Sequence, residues 1–319
     1  MRGSSPPTPV ERHLRGRRIV KASIDGGRDV HRPTRELPRH LTALYDRFPF
    51  DRSIADDPIS PVRGLATDRR HTEVAGLFGT TLAIGNTTAI RGAIARLVAG
   101  ADGDLTTSVD RAGRGKRTAG WRSFRHRWIR GDQMQYLATR LARIYETTDS
   151  LETVFLEGME TGGFAGGLDR LAKTLRGEPG DRRTPRGYRA LFPSPLENPA
   201  TAAKRMTLYL RWMVRDRFPD FGLWRRVPMG ELRIPLDQHV YWIAYHLGLT
   251  ARRSRSWAAV EEVTEALRRI DPLDPVRFDF VLCHTGISGD CPKERDLSIC
   301  GPCVVRPDCL LWRRRRSAS

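Results

Sequence analysis

The sequence predicts an all-α protein, and three observations carry that prediction. Apolar residues recur at helical spacing in one segment after another, no stretch of any length alternates apolar with polar residues as a strand would, and the connections are rich in proline and glycine. At 319 residues the chain can form one large domain or two smaller ones, and two are expected. With 39% hydrophobic residues and no apolar run near the roughly 18 residues that cross a bilayer, it reads as soluble with no membrane segment. The basic start "MRGSSPPTPVERHLRGRR" is not followed by the apolar core of a secretory signal, so a cytoplasmic location is expected.

Taken in order, residues 1–36 hold Pro, Gly, Ser and Arg with little apolar periodicity and are expected to be a disordered basic tail. A first helix is predicted in "LPRHLTALYDRF", followed by a turn-rich piece around "ADDPISPVRG". "HTEVAGLFGTTLAIG" and "TTAIRGAIARLVAG" then predict two apolar helices separated by Gly85 and Asn86. Between Ala101 and Asp132 the pattern gives way to a polar, glycine-containing segment. Helical spacing returns in "QMQYLATRLARIY" and "GGLDRLAKTLR", and breaks at a second basic loop, "GEPGDRRTPRGYR". Asn198 as N-cap and Pro199 at the first helical position predict a helix through "ATAAKRMTLYLRWMVRD", with a buried stripe at Ala202, Met206, Tyr209 and Met213. Asp237 opens the helix "HVYWIAYHLGL", which ends at Gly248 as a C′ residue. "WAAVEEVTEALRRI" and "VRFDFVLCHTGI" lead into a cysteine-rich segment, and residues 313–319 close the chain as a basic tail.

Charge and cysteines carry the functional signal. Lys and Arg number 55 against 37 Asp and Glu, a formal charge of +18 that no fold requires and that points to a polyanionic partner. Part of it is concentrated in the segment 101–132, where Arg111, Arg114, Lys116, Arg117, Arg122, Arg125, Arg127 and Arg130 are interleaved with Trp121, Phe124 and Trp128. Cations for phosphates and rings for bases suit a nucleic acid, whereas an ordinary loop would use the same aromatics to anchor itself to the core. "CPKERDLSICGPCVVRPDC" places Cys291, Cys300, Cys303 and Cys309 in the spacing C-x8-C-x2-C-x5-C. In a reducing setting such clustering favours metal over disulfides. Four thiolates can close a zinc site or hold a [4Fe-4S] cubane. A single C-x2-C pair with unequal outer spacings favours the iron–sulfur cluster. Cys283, in the apolar run "FDFVLC", reads as a small buried hydrophobe. His71, His126, His246 and His284 show no metal-ligand spacing and are assigned no role.

The segment "FVLCHTGISGDCPKERDLSICGPCVVRPDC" resembles the end of the iron–sulfur DNA glycosylases of the endonuclease III type, in the helix-hairpin-helix (HhH-GPD) superfamily. There a helix ending in Gly runs into C-x6-C-x2-C-x5-C; here the last two gaps match and the first is two residues longer. "IPLDQHVYWIAYHLGL" is similar to the helix start that carries the superfamily's essential aspartate, a place Asp237 takes. The hairpin, usually "LPGVGxKTA", is replaced by "FPSPLENPATAAKR" without its glycines, while a lysine survives as Lys204, 33 positions before Asp237. That long separation is similar to the archaeal 8-oxoguanine glycosylase branch, and the "KR…LRWMVR…IPLD" arrangement to a divergent family of the superfamily, over about residues 40–312.

This resemblance implies a two-lobed HhH-GPD glycosylase-like fold. One lobe would be a helical barrel of residues 71–229 with a basic insertion at 101–132, and the other a cluster lobe joining 37–70 to 230–312. It implies base-excision repair of double-stranded DNA by a nucleoid-associated monomer, with the excised base flipped into a cleft. Asp237 would stabilise charge on the sugar or activate a nucleophile. Lys204, once deprotonated, would attack the sugar and add AP-lyase activity. The four cysteines would hold a [4Fe-4S] cluster, with Lys293 and Arg295 beside them on phosphates. Asn86 would fill the gap left by the flipped base, and Arg114, Lys116, Arg117, Arg125 and Arg127 would bind the DNA backbone. The alternative is a non-catalytic nucleic-acid-binding protein whose cysteines hold zinc or a cluster for structure alone. Protein purified without oxygen is expected to be brown and to carry about four irons per chain; one stoichiometric zinc and no iron, by elemental analysis, overturns the cluster.

Overall fold

The computed structural model describes residues 33–313; the predicted tails at 1–36 and 313–319 lie outside it except for residues 33–36 and Arg313. The described chain is predominantly helical. It begins with α1 (Leu37–Asp46), α2 (Phe50–Asp56), α3 (Ile59–Arg63), α4 (Arg69–Thr81), α5 (Thr87–Ala99) and α6 (Leu105–Gly113). A two-stranded ribbon, β1 (Arg125–His126) and β2 (Ile129–Arg130), pairs antiparallel with Arg125 opposite Arg130. Then come α7 (Gly131–Tyr145), α8 (Leu151–Arg176), α9 (Lys204–Val214), α10 (Gln238–His246), α11 (Trp257–Arg268), α12 (Asp279–Ile287), α13 (Leu297–Cys300) and α14 (Leu310–Arg313). Short polar side chains start several of these helices as capping chemistry requires: Asp68 accepts from the His71 amide, Asp104 from Thr106 and Thr107, and Ser150 from Glu152.

Helix α4 sits at the centre, buried from Thr72 to Thr81. Its glycines let neighbours approach. A Cβ on Gly76 would lie 2.6 Å from Met213 of α9, and one on Gly79 would lie 2.6 Å from Val62 of α3. Glu73, buried on the same helix, accepts hydrogen bonds from the Ser150 hydroxyl, the Leu151 amide (3.1 Å), Tyr145 (2.9 Å) and Trp224 (2.8 Å). Burial pushes its carboxyl up against the pull of those donors. One carboxylate thereby ties the end of α7, the start of α8 and the loop after α9 to the central helix.

A second polar knot joins the two halves of the chain. Arg211 of α9 binds Asp220 (3.1 Å) and Asp279 of α12, and Arg215 binds Asp220 (3.1 Å) and Asp274 (2.9 Å). All five side chains are buried. Burial works against the Arg211 charge, but the surrounding carboxylates of Asp220, Asp279 and Asp57 outweigh it and hold the guanidinium protonated.

Several local expectations are corrected. Residues 55–64, expected as a turn-rich piece, hold the end of α2 and all of α3, which packs on α4 and α5. The stretch 101–132 holds α6, whose Leu105, Val109 and Ala112 face inward, and then the ribbon, so the chain is not free of strand. The helix expected to start at Asn198 starts at Lys204. Asn198 instead closes a local turn, its side chain accepting from the Ala200 amide (3.1 Å) and its carbonyl from the Thr201 amide (3.1 Å), while the Pro199 carbonyl accepts from the Trp257 amide (3.0 Å). Ala203, in the left-handed region at φ 46°, turns the chain into α9. By contrast Gly248, at φ 72°, terminates α10 as its C′ residue in agreement with the sequence.

Replacing Arg211 with Met strands the buried Asp279 carboxyl and leaves Asp220 to Arg215 alone. The expected loss is about 3–5 kcal/mol of stability, read from urea midpoints, and adding Asp279→Asn should recover part of it. A loss under about 1 kcal/mol would mean the ion pair holds nothing.

Candidate active site

A cavity of about 250 Å³ opens where α5, α9, α10 and α12 converge, and both Lys204 and Asp237 line it. Local structure places each one. Lys204 is the first residue of α9, set there by the left-handed Ala203. Seven positions on, two helical turns along the same face, Arg211 lines the cavity too. Asp237 is the N-cap of α10, and its Oδ1 accepts from the Val240 amide at 2.8 Å.

The other carboxylate oxygen of Asp237, Oδ2, accepts from the Cys283 thiol at 3.1 Å. Burial pushes that thiol well up, and the charges of Asp237 and Asp279 push it further, so it remains a protonated donor. Cys283 is therefore not the inert apolar filler its sequence context predicts. Asp279 lies four positions before it on the same face of α12, and burial pushes its carboxyl up to about 6 against the pull of Arg211. The shared helix face was the available signal, because a titratable pair at i and i+4 points one way.

Asn86 lies on the cavity wall, but not as the helix-ending residue its glycine neighbour suggests. It is the N-cap of α5, accepting from the Ala89 amide at 2.8 Å. His284, to which the sequence assigns no role, also lines the cavity; its Nε2 is 2.8 Å from Asp57 and its ring stacks on Phe280 at 4.2 Å between centroids. Another unassigned histidine, His126, fixes the ribbon to the cavity's edge, its Nε2 lying 3.0 Å from the carbonyls of both Leu82 and Ile84. At the ribbon's turn, Arg127 adopts φ 55°, and its guanidinium packs so closely on Gly85 that a Cβ there would sit 2.8 Å from it. Trp128 beside it lies under Arg205, whose guanidinium donates to the carbonyls of Thr81 (3.1 Å) and Ala190 (3.0 Å). Burial brings Arg205 down to about 10.

The expected interleaved aromatics divide. Trp121 and Phe124 are buried at 1% and 6% exposure, and the Trp121 indole donates to the Leu97 carbonyl (2.8 Å), so neither can stack on a base; Trp128, 45% exposed, is the ring of the three that faces solvent. Arg114, Lys116, Arg117 and Arg125 are exposed, and none of them lines the cavity. Lys293 and Arg295 are exposed in the cysteine segment and likewise do not line it; Arg295 packs over the Trp312 ring at 4.0 Å.

Cys291, Cys300, Cys303 and Cys309 surround a separate small void of about 30 Å³ against Ile243, His246 and Leu247 at the far end of α10. None of the five cysteines forms a disulfide. Burial and the proximity of the other three thiols push Cys291 up to about 12, and burial raises Cys303 and Cys309. Among the described residues, no group of three or more His, Cys, Asp or Glu side chains is gathered as the ligands of a metal ion. The four thiols line one void.

The family described as "Protein of unknown function (DUF2400)" matches residues 57–288, most of the chain. That span holds every residue lining the cavity and ends before the four clustered cysteines. No curated protein and no solved structure matches the chain.

Proposed function

The chain belongs to the DUF2400 family, and from the cavity we propose that it is a DNA glycosylase of two-lobed, helix-hairpin-helix type that flips a damaged or mismatched base out of the duplex and cleaves its bond to the sugar. One observation carries this reading: Lys204 and Asp237, 33 positions apart in sequence, meet at one cavity with Asn86 on its wall.

The chemistry follows from the side chains. Departure of the base leaves positive charge on the sugar, and a fixed carboxylate stabilises it without reorganising. Asp237 is fixed: one oxygen is held by the Val240 amide and the other by the Cys283 thiol, while each retains lone pairs for the reacting sugar. Lys204 stands at the same cavity to attack the sugar carbon after losing its proton, forming the Schiff base from which the strand is cut. Asn86, whose side chain is already engaged at the α5 cap, would occupy the space the flipped base vacates.

For the cofactor, the donor set fits a cubane better than a single zinc ion. Four sulfurs around one void suit a polynuclear group, whereas zinc draws its four ligands to about 2.3 Å from one centre. Cys291, Cys300, Cys303 and Cys309 would hold the [4Fe-4S] cluster, giving up their thiol protons on binding. Its contribution would be structural, closing the segment 291–309 against α10.

The absent hairpin glycines favour the second reading, a non-catalytic nucleic-acid-binding protein, and one substitution separates the two. Asp237→Asn should lower base excision by at least about a hundredfold and leave DNA binding nearly intact, because the amide oxygen still caps α10. Oligonucleotides each carrying one lesion supply the substrates; undiminished excision by Asp237→Asn on an active one overturns the site. Borohydride should trap the wild type covalently on that DNA and fail to trap Lys204→Ala. Excision by the wild type without trapping assigns a water nucleophile and removes Lys204 from the chemistry.

A further inference from the structure

Away from the cavity, the fold brings together two basic segments that lie far apart in sequence. Tyr136 on α7 makes the join: its hydroxyl is 3.2 Å from Asp181 Oδ2 and 3.1 Å from the Thr184 hydroxyl. On the same helix, Gln133 donates to the Arg186 carbonyl (3.0 Å) and Gln135 accepts from the Thr118 amide (2.8 Å). Between the segments runs an open groove of about 580 Å³ lined by Lys116, Arg117, Arg143 and Arg182. It shares Arg117, Asp132 and Gln135 with a neighbouring cleft of about 730 Å³, whose walls add Arg122, Arg125 and Arg130.

The charges in this groove are available. Among the described residues, none of those seven cations forms an ion pair, and all seven are exposed. Arg183, also on the rim, is by contrast folded back onto Asp181 at 2.9 Å. Two acids, Asp132 and Glu146, line the groove and leave a clear excess of positive charge.

We propose that this groove binds the sugar–phosphate backbone of duplex DNA, outside the flipped nucleotide and without regard to sequence. Phosphate is the matching anion because unpaired, exposed cations aligned along an open channel release counterions when they meet a polyanion. Duplex is chosen over single strand because the groove lacks a stacking platform. Single-strand binders place bases on aromatic faces, and here Trp121, Phe124 and Tyr136 are buried, while Trp128 stands on the ribbon turn against Arg205. Arg125 and Arg130 pair across the ribbon and line the cleft, and the ribbon's Arg127 rests on Gly85, next to Asn86 of the cavity. The ribbon that supplies Arg125 and Arg130 to the cleft thus also touches the cavity wall, through Arg127. This inference rests on the reading of the chain as a DNA-binding protein, but not on excision.

The test uses the full chain, a fluorescent undamaged duplex, the same single strand, and a duplex RNA of equal length. Wild-type protein should bind the DNA duplex more tightly than either alternative. In Arg143→Gln/Arg182→Gln, two exposed sites outside the cavity, the plot of log affinity against log salt should become shallower by about 1.8, the slope of two phosphate contacts. An unchanged slope, single-strand binding as tight as duplex binding, or a preference for the RNA overturns the proposal. A parallel arm measures excision of a lesion at saturating protein. If no protein excises while the slopes differ as expected, the glycosylase reading fails and the groove stands; excision with unaltered slopes overturns the groove and leaves the glycosylase reading in place.

Discussion

The buried pair between Arg211 and Asp279 fixes how the rest of the candidate site is assembled. Arg211 lies two turns after Lys204 on α9, and Asp279 lies one turn before Cys283 on α12, so one ion pair sets the position of the lysine against the thiol that holds Asp237. A buried ion pair is weak as a net source of stability, since desolvation offsets much of the attraction. Its geometry is nonetheless demanding, because any slip leaves a charge without a partner. Asp220, shared between Arg211 and Arg215, adds a second fixed point on the same helix.

Helix α10 gives the remote cysteines a way to matter at the cavity. Its N-cap is Asp237, and Ile243, His246 and Leu247 at its other end line the cysteine void. Nine residues of helix span about 13 Å. Gly286 lets α12 lie against the first turn of α10 so closely that a Cβ would stand 2.6 Å from His239 Cβ. A rigid helix clamped at both ends keeps the carboxylate in place, whereas a loose cysteine segment would free its C-terminal end. The cavity itself depends on a further clamp, in which His126 and Arg205 bind backbone carbonyls around Leu82 and Ala190.

The distribution of charge divides along the same lines. Acidic side chains are drawn inside, with Glu73, Asp220, Asp274 and Asp279 buried in polar knots that link helices. On the face formed by the segments 111–130 and 182–186, most cations stay outside and unpaired. The excess of +18 thus finds expression on a usable surface, which is the condition for a salt-dependent polyanion site.

How much of this was legible in the sequence depends on the range of the interaction. Local rules sufficed for the all-α class, for most of the long helices, for Gly248 at the end of α10 and for Asp237 as its cap, because periodicity and capping involve neighbours within a turn or two. Those rules failed at Asn198 and Pro199, which form a local turn tied to Trp257, far along the chain, instead of opening a helix. At Trp121 and Phe124 they left base stacking and anchoring to the core both open, since a ring in a polar segment gives no sign of which side it will bury. The pairing of Lys204 with Asp237 was expected from resemblance alone; composition and spacing cannot bring two residues to one cavity. What only the tertiary structure decided was the thiol of Cys283 on Asp237, His284 on Asp57, and the union of two basic loops across Tyr136. Each is a contact between residues dozens to hundreds of positions apart, fixed by helix packing that no local pattern encodes.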